Sequence, residues 1–425
     1  MSLKIDAVRQ NFPALWIKDK GKSRIYLDNP GGTQVPKSVI NQIEQYLIQR
    51  NANHGGFFKT SRESDKILDE THQAMADFLN ASSPKEIIFG PNMTTLTFAI
   101  SRSLAKWFTS GDEIILTRME HDGNIAPWYQ MARDNGLIVK WLNFNIDSFR
   151  FDLNDVEDLI TDRVRLIAIN YASNALGTIN DIKSVIQIAH DRNILVYVDG
   201  VHYVPHAPTD VQDLDCDFFV CSAYKFFGPH LGILWGKYEL LDKLAAYKVR
   251  PADDYPPGKF ETGTQSHEGE AGTLGALDYL TGIGESMARE FYQKYDKFEG
   301  RRKYLHAAML AIKEYERVLS EHLINGLKKI PGVHIYGITN HDELDDRVPT
   351  VSFVIEGMHP SDIAKSLARQ NIFSWNGNFY AVEVVKHLGL EDTGGLLRVG
   401  AVHYNTNEEI NLFLSHLDDL AKKIY

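Results

Sequence analysis

Between residues 86 and 235 short apolar runs alternate with longer stretches of helical spacing. The apolar runs at 86–89, 113–116, 138–142, 166–170, 195–199, 218–221 and 233–235 are short, bounded by polar residues and rich in β-branched side chains, which predicts strands. Between them, residues 94–107, 125–135, 155–162 and 181–192 carry helical patterns. Short apolar strands alternating with helices predict an α/β fold with a mostly parallel, doubly wound sheet.

The pattern changes after Gly272. Residues 276–329 read as a long helical stretch broken into two, followed by the apolar runs HIYGI, TVSFVI and LLRVGAVHY and by helical patterns at 361–370 and 408–423. This predicts a smaller α+β C-terminal domain with antiparallel pairing. The expected division is an N-terminal segment over 1–20, a large domain over 21–284 and a small domain over 285–425. The first 20 residues are expected to form a helix that packs back onto one of the domains.

Composition narrows the class. The chain has 425 residues, 44% of them hydrophobic, and a formal net charge of −11. That is enough for a large core, and the acidic balance argues against a nucleic-acid partner. No run of 18 apolar residues predicts a membrane span, and the N-terminus has no apolar segment of a secretory signal. Only two cysteines occur, Cys216 and Cys221, both in the apolar stretch LDCDFFVCS. No metal-ligand spacing includes them, so buried core thiols are expected and no metal site.

The chemistry gathers at predicted strand ends, where ligands bind in open parallel sheets. In FFVCSAYKFFGPHLGILWG a strand runs into Ser222, Tyr224 and Lys225, and then a Gly-rich turn. A lysine flanked by aromatic side chains is desolvated and primed for Schiff-base chemistry, although a surface lysine would read the same taken alone. The preceding strand ends at Asp199, which suits the pyridine nitrogen of pyridoxal phosphate or simply a loop cap. His202, three residues on, either faces the same crevice or is structural. One strand earlier, the reading ends at Asn174, whose amide suits a cofactor oxygen or a substrate carboxylate. Met93, Thr94 and Thr95 open a helix and offer a phosphate cradle or a plain threonine cap. His121 follows the strand EIILT and can stack on a ring and shuttle protons. Arg398 in LLRVGAVHYNT is the candidate for a bidentate grip on an α-carboxylate.

Seven segments in order resemble the class V aminotransferase family of fold-type I pyridoxal-phosphate enzymes, and most of all its cysteine desulfurase-like branch. They are YLDNPGGTQVP, MEH, YASNALGT, VDGVH, SAYK, FETGT and LRVGAVHYNT, and they span nearly the whole chain. The resemblance implies a large domain with a mostly parallel seven-stranded sheet and a smaller C-terminal domain. It implies pyridoxal 5'-phosphate held as a Schiff base on Lys225, Asp199 on the pyridine nitrogen, His121 stacked on the ring, and Asn174, His202, Ser222 and Tyr224 around it. Gly32 would lie by the substrate, Arg398 would bind its carboxylate, and His54 lies where the family has residues near the substrate. Gly263 and Thr264 would reach the phosphate in the neighbouring subunit of a homodimer. A cytoplasmic enzyme acting on an amino acid is implied as well.

The chain departs from the desulfurase pattern in two places. Ala223 and Tyr224 stand where the lysine motif S-G-H-K has Gly and His. The stretch FSWNGNFYAVEVVKHLGL, where desulfurases carry a catalytic cysteine, has none, and Tyr380 falls near the expected position. A phenol with a pKa near ~10 does not replace a thiolate as sulfur acceptor. A C–S or amino-acid lyase working through a Cα carbanion is therefore expected, with an epimerase or aminotransferase as the alternative. A catalytically inactive cofactor-binding scaffold is the reading from another class. A nucleotide-binding enzyme would need a GxGxxG or GxxxxGK[ST] turn, and neither is present.

Overall fold

The structure, a computed structural model, describes residues 3–423. Its centre is a seven-stranded sheet built from β1 (Ile87–Gly90), β2 (Glu113–Thr117), β3 (Ile138–Leu142), β4 (Val164–Asn170), β5 (Leu195–Asp199), β6 (Phe218–Ser222) and β7 (Gly232–Gly236). The strand order is β1-β7-β6-β5-β4-β2-β3. β7 runs antiparallel to both of its neighbours, and the other pairs are parallel. The fold class expected from the strand pattern is the one observed.

Alternation along each strand explains why these runs read as continuously apolar. Ile167, Ile169, Val196, Val198, Phe219 and Cys221 enter one core, while Leu166, Ala168, Tyr197, Phe218 and Val220 enter a second core on the opposite face. Both faces are covered by helices, so nearly every position of a central strand is buried, the exceptions lying at the strand starts. The helices Met93–Leu104 and Ala126–Asn135 cover one face; Lys59–Leu79, Ile182–His190 and His267–Met287 cover the other.

A second sheet is wholly antiparallel, with β8 (Val333–Tyr336), β9 (Thr350–Ile355), β10 (Trp375–Gly377) and β11 (Leu396–Gly400) in the order β8-β9-β11-β10. Val351, Phe353, Leu397 and Val399 pack there with the helices Pro360–Ala368 and Asn407–Ala421. The helix Gly300–Leu327 serves both bodies: Leu305 and Ile312 enter the large core, Leu319 and Leu327 the small one. The N-terminal chain is shared in the same way. Val8 and Phe12 enter the large core, whereas Ile25 and Tyr26 pair in parallel with Ile372 and Phe373 beside the small sheet.

Several element boundaries differ from the sequence reading. The helical stretch expected over 276–329 begins earlier, at His267, and is interrupted by residues 288–299. The strand read through LLRVGAVHY ends at Gly400, because the chain turns there to pass Leu27 and Asp28. The N-terminal segment is not one helix but a short helix, Ile5–Arg9, and a 3₁₀ turn, Pro13–Trp16.

Candidate active site

The parallel strands deliver their polar ends to one cavity of about 320 Å³. In register, Asn170 lies opposite Asp199 and Asp199 opposite Val220, so the ends of β4, β5 and β6 form one ledge. The helix Met93–Leu104 points its N-terminus at this ledge. Gly232 allows that approach: a Cβ there would lie 2.3 Å from the Asn92 carbonyl carbon and 2.5 Å from the Met93 nitrogen. Asn92 caps the helix by accepting the Thr95 N–H at 2.9 Å, and Met93 and Thr94 face the cavity.

Lys225 follows β6 on a 3₁₀ turn and is buried at the cavity floor. Its Nζ donates to the Pro30 carbonyl oxygen and lies 5.0 Å from the centre of the Tyr224 ring. Burial, reinforced by the Arg398 charge, brings its pKa down to about 7 against the pull of Asp28 and Asp199. At neutral pH a large fraction is therefore free amine, the form that attacks carbonyls and accepts protons.

Asp199 lies beneath the cavity. One carboxylate oxygen accepts the Val201 N–H at 2.9 Å, and burial pushes its pKa up to about 6. A second carboxylate, Glu120, is fully buried nearby and accepts from Thr117 Oγ1, Asn124 Nδ2 and the Asn170 N–H. Burial pushes it up to about 8, with Asp199 adding repulsion. The sequence reading passed over Glu120, although it stands between the two quoted residues of MEH. His121 Nδ1 accepts the Gly123 N–H at 2.9 Å, so the neutral ring carries its proton on Nε2. Burial and the charges of Lys225 and Arg398 bring His121 down to about 4. His202 bonds Thr350 Oγ1 at 2.8 Å through Nε2 and is held neutral by burial.

The small domain closes the cavity from the other side. Arg398 projects from β11, donates to the Asn174 carbonyl oxygen at 2.9 Å and lies 3.8 Å from Asp28. Its guanidinium sits 4.4 Å from the centre of the Phe379 ring. Phe379 and Tyr380 both adopt left-handed backbone, with φ of +56° and +59°, which is unfavourable for aromatic residues. Bonds from the large domain hold them there: Asn174 Nδ2 donates to the Phe379 carbonyl at 2.9 Å, and the Asp122 N–H to the Tyr380 carbonyl at 2.7 Å. The Tyr380 ring stacks on His121, with centres 5.5 Å apart.

Of the residues singled out in the sequence, Lys225, Asp199, His121, His202, Asn174, Met93, Thr94, Ser222, Tyr224, Arg398 and Tyr380 line this cavity. Asn174 stands in the turn after β4 rather than at the strand end. Thr95 is exposed and belongs to the helix cap. Gly32 lies behind the wall, against the Tyr224 ring. His54 is in an exposed loop beside His267, and Gly263 and Thr264 are exposed in a loop away from this chain's own cavity. The cavity also uses Asp28, Pro30, Asn92, Trp375 and Phe379. Cys216 and Cys221 are buried thiols whose pKa burial pushes well up.

Several cavity-side polar atoms are buried without a hydrogen-bond partner: Asn174 Oδ1, Ser222 Oγ, His202 Nδ1, Asp28 Oδ1 and Arg398 Nε. Such atoms are costly unless a ligand satisfies them. Together with a desolvated lysine, a buried carboxylate and a helix N-terminus, they match the donor set that a phosphorylated pyridine aldehyde requires.

The model of the family described as aminotransferase class-V matches residues 25–301 and 299–413. The chain belongs to the class-V aminotransferase family. Its members are pyridoxal-phosphate enzymes, and this chain is one of them. It is 34% identical over 428 residues to the aminotransferase-like protein FGM3 of Gibberella zeae, with 98% of each chain covered. It is 32% identical over 427 residues to a probable cysteine desulfurase of Synechocystis, covering 96% of this chain and 94% of the relative. Among solved structures, the apo cysteine desulfurase of Thermococcus onnurineus superposes with a TM-score of 0.87 at 26% identity, covering 100% of this class-V chain and 99% of that one. The cysteine desulfurase CsdA of Escherichia coli superposes with a TM-score of 0.82 at 26% identity, with both chains fully covered. No helix among the described residues is long and apolar enough to cross a membrane.

Proposed function

We propose that this enzyme is a C–S or amino-acid lyase that removes the Cα proton of its substrate with Lys225 and uses no persulfide relay. The observation that carries this reading is the pairing of Lys225 with a thiol-free cavity. The lysine is desolvated enough to act as a base near neutrality, while Cys221 lies inside β6 and Cys216 is buried just before that strand, neither of them lining the cavity.

When bound, pyridoxal phosphate supplies an aldehyde for the amino group and a protonated ring that takes up charge developing at Cα. Lys225 and Asp199 would hold its two ends of reactivity, with Asp199 keeping a proton at the pyridine nitrogen. The N–H groups of Met93 and Thr94 and the hydroxyls of Thr94, Ser222 and Tyr224 are the donors for its phosphate. His121 covers one wall and excludes water there. Arg398 binds the α-carboxylate through a planar pair of N–H groups, which fixes the Cα–H bond toward Lys225. Lys225 Nζ accepts that proton and can return it to a leaving group at Cβ, which completes an elimination.

Epimerisation and transamination start from the same proton transfer and differ in where the proton is returned. Gly263 and Thr264, exposed and away from their own cavity, support a homodimer in which this loop completes the neighbouring site. The test is an absorbance spectrum of the purified protein with and without borohydride, followed by mass mapping. A yellow protein with a reduced phosphopyridoxyl adduct on Lys225, releasing a keto acid without a persulfide-bearing peptide, is expected. A persulfide on either cysteine during turnover sinks the reading.

A further inference from the structure

We infer that the substrate is an amino acid whose side chain is uncharged and carries a ring, seated against a wall formed by Trp375, Tyr380 and His121. This deepens the lyase reading and rests on it.

The charges at the cavity exclude the other classes. Apart from histidines, its acidic and basic side chains are Asp28, Asp199, Lys225 and Arg398. In the reading above, Lys225 and Asp199 serve the cofactor, and Arg398 takes the α-carboxylate. An acidic side chain would need a second cation, and among the described residues of this chain no other lysine or arginine lines the cavity. A basic side chain would have Asp28 alone, and that carboxylate already faces Arg398 at 3.8 Å. His121 and His202 are buried and neutral, so neither offers a charge. A charged side chain would thus be desolvated without a counter-charge, which is costly.

The wall is made of rings. Trp375 on β10 lies directly across from Arg398 on β11, and opposed residues in an antiparallel pair project to the same face. Its indole therefore stands beside the carboxylate clamp, and it is 57% exposed. Tyr380 is 71% exposed and lies nearly parallel to His121, at 21° between ring planes. Large rings left open at a cavity mouth mark a surface that a ligand covers. The backbone that carries Tyr380 is fixed on both sides. The Tyr380 N–H donates to Asn378 Oδ1 at 3.1 Å, and the Tyr380 carbonyl is held from the large domain as described. A preformed flat wall favours a flat partner, by stacking and by apolar burial.

The test titrates the holoenzyme with L-phenylalanine, L-tryptophan, L-alanine, L-cysteine, L-aspartate and L-lysine, following the cofactor's absorbance. The ring-bearing amino acids are expected to bind about ten-fold more tightly than L-alanine, the size of one or two stacking contacts. Trp375→Ala and Tyr380→Ala each should cut that preference several-fold, while Tyr380→Phe, which keeps the ring, should retain it. Tightest binding of L-cysteine, L-aspartate or L-lysine overturns the inference, as does equal binding of all six. Light scattering on Trp375→Ala supplies the second measurement: loss of the oligomer with the preference intact would assign the wall to a subunit contact instead. A protein that takes up no cofactor on Lys225 sinks the lyase reading and this inference together, whereas a loaded enzyme without ring preference sinks this inference alone.

Discussion

The two sides of the cavity are built on different principles. On the large-domain side, Asp199 and Ser222 stand at the ends of adjacent parallel strands, and Lys225 follows three residues later. Their spacing is fixed by sheet register, so chemistry there depends on the most buried part of the molecule. On the small-domain side, Arg398 and Trp375 come from neighbouring antiparallel strands, and Phe379 and Tyr380 from a turn with left-handed backbone. That side is joined to the first by a shared apolar cluster, in which Phe379 and Leu396 pack with Met119 and Phe144, but its rings Trp375 and Tyr380 are exposed and can change with little cost to the fold. The contrast implies a division of labour: the rigid ledge serves the cofactor, and the opposing turn selects the substrate.

Lys225→Ala should break the ledge most severely. We expect kcat to fall by at least ~10³-fold, the range for losing a positioned acid–base group, with no cofactor retained covalently by mass spectrometry. The contrast sharpens when one residue on each side is changed. Asp199→Asn should weaken cofactor retention, read by dialysis against cofactor-free buffer. Arg398→Lys should leave retention intact and lower kcat/KM by about 10- to 100-fold through KM, because a lysine cannot reproduce a bidentate grip. If both variants lose cofactor equally, the division of labour fails.

The legibility of the site follows the same division. β5 and β6 could be read from runs such as LVYVD and FFVCS because strands buried on both faces must be apolar throughout. Asp199, Ser222 and Lys225 then stood out as the first polar residues beyond them. Glu120 was hidden, because a carboxylate satisfied by Thr117, Asn124 and the Asn170 N–H leaves no pattern in sequence. β10 was missed for another reason: WNG has no alternation and is a strand only because it pairs with β11. The helices Lys37–Gln49 and Lys59–Leu79 were passed over, because only YLDNPGGTQVP and His54 were read in that part of the chain. His54 carried a family position, but the chain leads it to an exposed loop.

The buried lysine also predicts a stability effect in the cofactor-free protein. Its pKa is lowered on folding, to about 7, from an ordinary value of about 10.4. Between these values the unfolded chain binds more protons than the folded one, so stability rises with pH through this window. Below about pH 7 both states are protonated and the full penalty of burying the ammonium applies. Apo Lys225→Met should therefore melt a few degrees above the apo wild type in mild acid, with the gap closing toward pH ~10. Thermal melts across this range check it, and a gap that widens with pH would reverse the sign.

The smallest effects should come from the turn where the two sides meet. Neither Gly31 nor Gly32 has a positive φ, so alanine is allowed by the backbone at both, and the outcome depends on what the new methyl group meets. At Gly31 it would lie 2.9 Å from both Asp28 carboxylate oxygens, which must move, and Asp28 faces Arg398. At Gly32 it would lie 3.2 Å from the Tyr224 ring, which stacks on the exposed His230 at 5.1 Å and must shift slightly to make room. Gly31→Ala should thus weaken amino-acid binding, and Gly32→Ala should weaken cofactor retention through Tyr224 and its neighbour Lys225. Each effect should be about 2- to 5-fold, corresponding to strain below ~1 kcal/mol. Substrate and cofactor dissociation constants measured on both variants decide the matter. Opposite assignments would mean that the turn transmits to the ledge and the clamp alike, and that the two sides of the cavity are not independent.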